Sequence, residues 1–295
     1  MKRILVPTDF SQPAYNAARY AVHLARGIKA NIELCHAIMV PDETPLTAQT
    51  VWPAEDYTFL KKLANSRMKD TVEELMREKK WSNHKAYQNP EISYTSEAGN
   101  VSEIVNDLVN KKDINLVVMG MAGASKMTKL FLGSNSLDII QRAGFPVLLV
   151  PDNVVFNGLW KIAFATDLSC QDIEVIHSLS GLAREFNAEI LITHVTSEKI
   201  DRQDHQQKID SFLNEVSCKI NYPKIYYRGI NDKNVNQGLS WLTANSDIDM
   251  LVMVHRQHNF FSSLFKSSHT KQLARHINVP LLVYAEDTKA IKYFW

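Results

Sequence analysis

The chain repeats itself, and no other feature constrains its fold as tightly. Arg3-Ile4-Leu5-Val6-Pro7-Thr8-Asp9-Phe10-Ser11 is echoed by Lys161-Ile162-Ala163-Phe164-Ala165-Thr166-Asp167-Leu168-Ser169, at an offset of 158. The same offset pairs Leu24-Ala25-Arg26 with Leu182-Ala183-Arg184, and His36 with His194. Near the end of each copy the offset falls to 134: Asp113-Ile114-Asn115-Leu116-Val117-Val118-Met119 matches Asp247-Ile248-Asp249-Met250-Leu251-Val252-Met253, and Pro146-Val147-Leu148-Leu149 matches Pro280-Leu281-Leu282-Val283. The first copy therefore carries 24 extra residues between His36 and Asp113, mostly in the stretch from Met39 to Pro53 and the helix after it. Pro, Asn and Gly between Pro151 and Gly158 break the pattern and mark the boundary. The expected units are residues 1–152, residues 158–285 and a tail of residues 286–295. The tail ends Ile291-Lys292-Tyr293-Phe294-Trp295 and is apolar enough to pack on the domain or on a partner, the alternative being a free end.

Within each copy, short β-rich apolar runs alternate with longer segments of helical period, the signature of βαβ units and a parallel sheet. The first copy implies five strands: Ile4 to Val6, Ile32 to Ile38, a weaker run near Ile92 to Thr95, Leu116 to Met119, and Val147 to Val150. Ser11 is a candidate N-cap for a helix bearing Ala14, Ala17, Ala18, Ala21, Leu24 and Ala25. Asn100 followed by Glu103 resembles a capping box that opens another. A helix from about Asp56 to Lys80 mixes charges as a solvated face does, with Met68, Leu75 and Met76 expected in the core. In open sheets of this kind the ligand crevice lies beyond the carboxyl ends of the strands.

Composition narrows the function classes. Hydrophobic residues make up 45% and charged residues 22%, values that suit globular domains and exclude a disordered chain. Lys and Arg number 33 against 32 Asp and Glu, a net charge of +1 that argues against a dedicated duplex-binding protein. Three scattered cysteines, Cys35, Cys170 and Cys218, do not make a disulfide framework or a CxxC site. The apolar run at the N-terminus stops at Pro7 and Asp9, unlike a signal peptide, and no stretch of about 18 apolar residues occurs. A soluble, cytoplasmic protein without membrane or nucleic-acid partners is expected.

After the fourth strand the first copy reads Met119-Gly120-Met121-Ala122-Gly123, and after nine intervening residues come Gly133-Ser134-Asn135-Ser136. Gly120 and Gly123 lack Cβ atoms, which allows a tight turn and close approach to a ligand. Gly133 and Ser134 fall where a helix begins, and its free N–H groups and dipole attract an anion. Ser134 and Ser136 add hydroxyls, and Lys126 and Lys129 add positive charge between the glycines. Pro7-Thr8-Asp9 ends the first strand on the same edge of the sheet, where Asp9 can accept hydrogen bonds from an adenine amino group or a ribose hydroxyl. Taken singly, the glycines also read as ordinary loop residues and Asp9 as an ordinary turn residue.

With these motifs the chain resembles the universal stress protein family in its tandem form, over nearly all its length. The specific part is G-x-x-G, nine residues, G-S, which the first copy matches throughout. The resemblance implies two open, five-stranded α/β domains of the adenine nucleotide alpha hydrolase-like type, strand order 3-2-1-4-5, joined through their fifth strands. It implies that Pro7, Thr8 and Asp9 line a nucleotide site and that the backbone of Ala37 contacts adenine. Met119, Gly120 and Gly123 would lie near ribose and phosphates, and Gly133, Ser134 and Asn135 would hold the phosphates. The ligand implied is ATP, with or without Mg2+, or AMP or ADP; the protein partners are other proteins or a second copy.

The second copy departs from this pattern. Gly120, Gly123, Gly133 and Ser134 become Val254, Gln257, Ser267 and Ser268, so it is expected to be degenerate, with Lys266, Ser267 and Ser268 able at most to hold a small anion. His255-x-x-His258 lacks a companion ligand for zinc, and His36 and His194 read as packed, structural histidines. No G-x-x-x-x-G-K-[ST], G-x-S-x-G or H-E-x-x-H is present and no base is evident, which points to an ATP-binding regulatory module with at most slow hydrolysis. The alternatives are a nucleotide-independent scaffold built on the domain pair and, ranked last, an ATP-dependent ligase of related fold.

Overall fold

The computed structural model describes residues 2–39, 54–77, 89–121, 134–196, 202–232, 234–256 and 278–285. The first copy runs β1 (Arg3–Pro7), α1 (Gln12–Ile28), β2 (Asn31–Ile38), α2 (Ala54–Arg77), β3 (Ile92–Ala98), α3 (Val101–Lys112), β4 (Leu116–Met121), α4 (Ser134–Arg142) and β5 (Val147–Pro151). The second runs β6 (Lys161–Ala165), α5 (Asp172–Phe186), β7 (Glu189–Thr196), α6 (Arg202–Lys219), β8 (Ile225–Asn231), α7 (Val235–Asn245), β9 (Met250–His255) and β10 (Leu281–Ala285). All ten strands form one sheet in the order β3-β2-β1-β4-β5-β10-β9-β6-β7-β8. Each copy thus has the order 3-2-1-4-5, and the copies meet where β5 and β10 pair antiparallel, Leu282 opposite Leu148. Every other pairing in the sheet is parallel.

Parallel strands with helices on both faces need apolar residues on both faces, and β5, Val-Leu-Leu-Val-Pro, is buried at every position. Alternate strand residues supply two cores. Val6, Leu34, Val118, Leu148 and Val150 face one cluster with α1 and α2; Leu5, Cys35, Val117, Met119 and Leu149 face the other with α3 and α4. Both clusters continue into the second copy. Burying each such aliphatic side chain stabilises the fold by roughly 1.5–3 kcal/mol. Met68 and Leu75 are fully buried, but Met76, expected beside them, is 44% exposed. It follows Leu75 by one residue, a turn of about 100° that carries it to the solvent face.

The repeat recurs in the backbone. Lys29 and Asn187 end α1 and α5 in the left-handed conformation, Phe10 and Leu168 share positive φ after β1 and β6, and Asp113 and Asp247 share it before β4 and β9. Ser11 caps α1 by accepting from the Ala14 N–H, while Asn100 caps α3 through the Ser102 N–H. Gly27 lets α1 approach α5, since a Cβ there would lie 2.2 Å from the Phe186 ring. Asn16 on α1 donates from Nδ2 to the carbonyls of Pro151 and Val154 and so holds the start of the connecting segment.

One charged group sits inside the first copy. Glu33 on β2 is buried, and Lys112 Nζ at 2.7 Å and Thr95 Oγ1 at 2.6 Å donate to its Oε1 while Ser93 donates to Oε2. Burial opposes ionisation, yet the bonds from Lys112, Ser93 and Thr95 prevail and hold its pKa below the ordinary carboxylate value. No helix among the described residues is long and apolar enough to cross a membrane.

A candidate nucleotide crevice above the first sheet edge

Because β1, β2 and β4 are parallel, their carboxyl ends open together into a cavity of about 430 Å³. The strands contribute Pro7, Thr8 and Asp9, then Cys35, His36 and Ala37, then Met119 and Gly120. Three helices aim their N-termini at it: Ser11, Pro13 and Ala14 from the start of α1, Val101 and Ile104 from α3, and Ser136 from α4. Helix N-termini carry free N–H groups and partial positive charge, so an anion is favoured where they converge. The described lining has apolar walls, the hydroxyls of Thr8, Ser11 and Ser136, the carboxylate of Asp9, and no Lys or Arg.

The strand end that presents Asp9 is tightly held. The Thr8 N–H donates to the Cys35 carbonyl at 2.8 Å, and the Thr8 carbonyl accepts from His36 Nδ1 at 2.8 Å. That bond places the hydrogen on Nδ1, because a carbonyl only accepts. The Phe10 N–H donates to Thr8 Oγ1 at 3.0 Å, and the Ser11 N–H donates to Asp9 Oδ1 at 2.9 Å. Phe10, at φ +62°, packs its ring 4.5 Å from that of His36, with the Arg67 guanidinium 4.1 Å above it. His36 is thus fixed as a packed histidine and still forms part of the wall. Asp9 is exposed, and its carboxylate is directed by the bond from the Ser11 N–H within its turn.

Of the residues singled out from sequence, Pro7, Thr8, Asp9, Ala37, Met119 and Gly120 surround this one cavity. Ser134 and Asn135 open α4, although their side chains lie outside the described residues. Gly123, Gly133, Lys126 and Lys129 lie outside them as well, as do Gln257, His258, Lys266, Ser267, Ser268 and the tail of residues 286–295. Cys35, Val101 and Ile104, with Pro13, Ala14 and Met39, also line the cavity without a ligand signal of their own in the sequence; the capping signal at Asn100 is the pointer to Val101 and Ile104. Among the described residues, no group of three or more His, Cys, Asp or Glu is placed to hold a metal ion.

The universal stress protein family model matches residues 1–151 and 228–285. The chain belongs to that family. Similar members include Universal stress protein Slr1230 of Synechocystis, 23% identical over 96% of this chain and 100% of its own length. Universal stress protein MJ0531 of Methanocaldococcus jannaschii is 27% identical over 50% of this chain and 81% of its own. Among solved structures, a universal stress protein from Archaeoglobus fulgidus superposes with a TM-score of 0.69 at 16% identity, covering 96% of this chain and 98% of that one. The shared fold is the adenine nucleotide alpha hydrolase-like one, here in tandem.

In this family member Gly120 has a packing role that its place in the motif does not disclose. A Cβ at Gly120 would lie 2.3 Å from the Pro13 carbonyl oxygen and 2.8 Å from the Ala14 nitrogen. The glycine lets the first turn of α1 lie against β4, a packing role beside the tight turn and close approach that its place in the motif suggests. Val254 stands at the equivalent place in the second copy, and there α5 begins at Asp172, the counterpart of Ala14, two residues later in the motif than α1 begins.

The second crevice has a different interior. Arg256, at the end of β9, is nearly buried; its Nη1 donates to Asp167 Oδ2 and its Nη2 to Asp172 Oδ1, each at 2.6 Å. Thr166 Oγ1 donates to Asp172 Oδ2, and the Leu168 N–H donates to Thr166 Oγ1. Burial pushes the Asp172 pKa up to about 6, against the opposing bonds from Thr166 and Arg256. Asp167 is the counterpart of Asp9, so the carboxylate that faces an open cavity in the first copy faces an internal guanidinium in the second.

Proposed function

We propose that this chain is an ATP-binding regulatory module of the stress response, taking the nucleotide in its first copy alone. The observation that carries the reading is the cavity itself, where Asp9 and the ends of β1 and β4 lie beneath the N-termini of α1, α3 and α4. Its volume falls within the roughly 300–1,000 Å³ of small-ligand sites. The apolar wall of Cys35, Ala37, Ile104 and Met119 suits a flat base, Asp9 suits a ribose hydroxyl or an amino group, and the helix N-termini with Ser136 suit phosphates. The resemblance adds Gly123, Gly133, Ser134 and Asn135 to the phosphate end. A magnesium ion would enter on the phosphates, since no protein cluster for it occurs among the described residues.

Restriction to the first copy rests on the Arg256, Asp167 and Asp172 cluster and on Val254. A guanidinium bonded to two carboxylates satisfies the groups that a nucleotide would address. Titration calorimetry with ATP and AMP tests the reading. Micromolar ATP affinity at one site per chain supports it, and no heat at millimolar ATP rejects it in favour of a nucleotide-independent scaffold, for which the continuous ten-stranded sheet is the supporting observation.

A further inference from the structure

Two helix N-termini that face the cavity are tied to each other by polar side chains that do not face it. Ser102, in the first turn of α3, is buried, and its hydroxyl donates to the Asp138 carboxylate on α4. The same Oγ lies 2.8 Å from Oδ1 of the N-cap residue Asn100, which also accepts from the Ser102 N–H at 2.9 Å. Asp138 is fixed from its other side by Arg142 Nε at 2.7 Å. Ser102 lies between Val101 and Ile104, which line the cavity, and Asp138 lies two residues beyond Ser136, which also lines it.

We propose that Asp138 and Ser102 are positioning residues that set the spacing between the first turns of α3 and α4, and through it the phosphate end of the nucleotide site. The inference rests on the ATP-binding reading above. A carboxylate near a phosphate site would by its charge alone weaken anion binding, so a positioning role and a purely electrostatic one predict opposite effects. The hydrogen bond from Ser102 and the pairing with Arg142 hold the Asp138 pKa below the ordinary carboxylate value, so the clamp is ionised at neutral pH.

The test compares ATP with adenosine in calorimetric titrations of the unaltered chain, Ser102→Ala, Asp138→Ala and Asp138→Asn. The expected result is a loss of about fivefold to tenfold in ATP affinity for Ser102→Ala and Asp138→Ala, with adenosine within about twofold of the parent. The double variant should lose no more than either single one, and Asp138→Asn, which still accepts from Ser102, should recover most of the loss. Equal losses for ATP and adenosine would mark general damage to the fold, and unchanged or tighter ATP binding would mark charge alone; each overturns the proposal. If the unaltered chain binds adenosine but shows no gain from phosphates, the proposal fails while a nucleoside site stands; if it binds neither, the ATP reading itself fails.

Discussion

Arg256 and Asp172 meet at 2.6 Å although 84 residues separate them in the chain, and the contact joins the end of β9 to the start of α5 in the second crevice. Asp172 occupies the place that Ala14 occupies beside the first cavity. A buried carboxylate needs a partner, and removing that partner costs more than the pair itself contributes.

Arg256→Ala is therefore expected to destabilise the protein by about 3 kcal/mol, since Asp172 loses its ion-pair partner in a nearly dry site and must take up a proton or stay there as an uncompensated charge. Urea denaturation measures it. The same variant should still take up one ATP per chain, because Val254 remains and α5 still starts late. A second site appearing in Arg256→Ala would show that the guanidinium alone keeps ligand out.

The pH dependence of stability has two opposing parts. The folded pKa of Asp172, about 6, lies above its ordinary value of 3.8, so the folded state binds the additional proton and this group's contribution falls as pH rises through that window. The folded pKa of Glu33 is lowered from 4.5, so its contribution is complete above 4.5 and is lost as pH falls through its lowered value. Denaturation midpoints across pH should show Asp172→Asn flattening the slope between about 4 and 6 and Glu33→Gln flattening the acid limb below it. Glu33→Gln should also cost about 2 kcal/mol at neutral pH by leaving Lys112 without its carboxylate. If both profiles match the parent's, the two assignments are wrong.

Gly120→Ala should destabilise the protein by about 1–3 kcal/mol, because the new methyl meets backbone rather than a side chain that can move aside. It should also weaken nucleotide binding by shifting Pro13 and Ala14 in the cavity wall. Thermal denaturation beside an ATP titration separates the effects, and a variant as stable as the parent would contradict the packing role.

Asp9→Ala should leave stability within about 0.5 kcal/mol, because the side chain is exposed. ATP affinity should fall by roughly tenfold or more, the effect of deleting a charged hydrogen-bond acceptor. An unchanged dissociation constant would place the ligand elsewhere.

Most of the architecture was legible because the repeat and the alternation of apolar runs are local patterns. The strands, the 3-2-1-4-5 order and the junction of β5 with β10 all followed from them or from the resemblance they led to. Six of the ten residues assigned to the nucleotide site meet at one cavity for the same reason, since strand ends and helix starts are fixed by short motifs. The packing role of Gly120 was not legible, since the clash involves Pro13, more than a hundred residues away. Arg256 gave no signal either: its partners Asp167 and Asp172 come from another strand end and helix, and one arginine after an apolar run reads as a solvated residue. Ser102 and Asp138 likewise belong to different helices, each unremarkable alone.

ATP is expected to occupy the first crevice and not the second. Amide hydrogen exchange followed by mass spectrometry, with and without saturating ATP, locates the ligand in solution. Slower exchange is expected in segments covering residues 8–14 and 100–106, with residues 166–176 unchanged. Protection confined to residues 166–176, or equal in both copies, would contradict it.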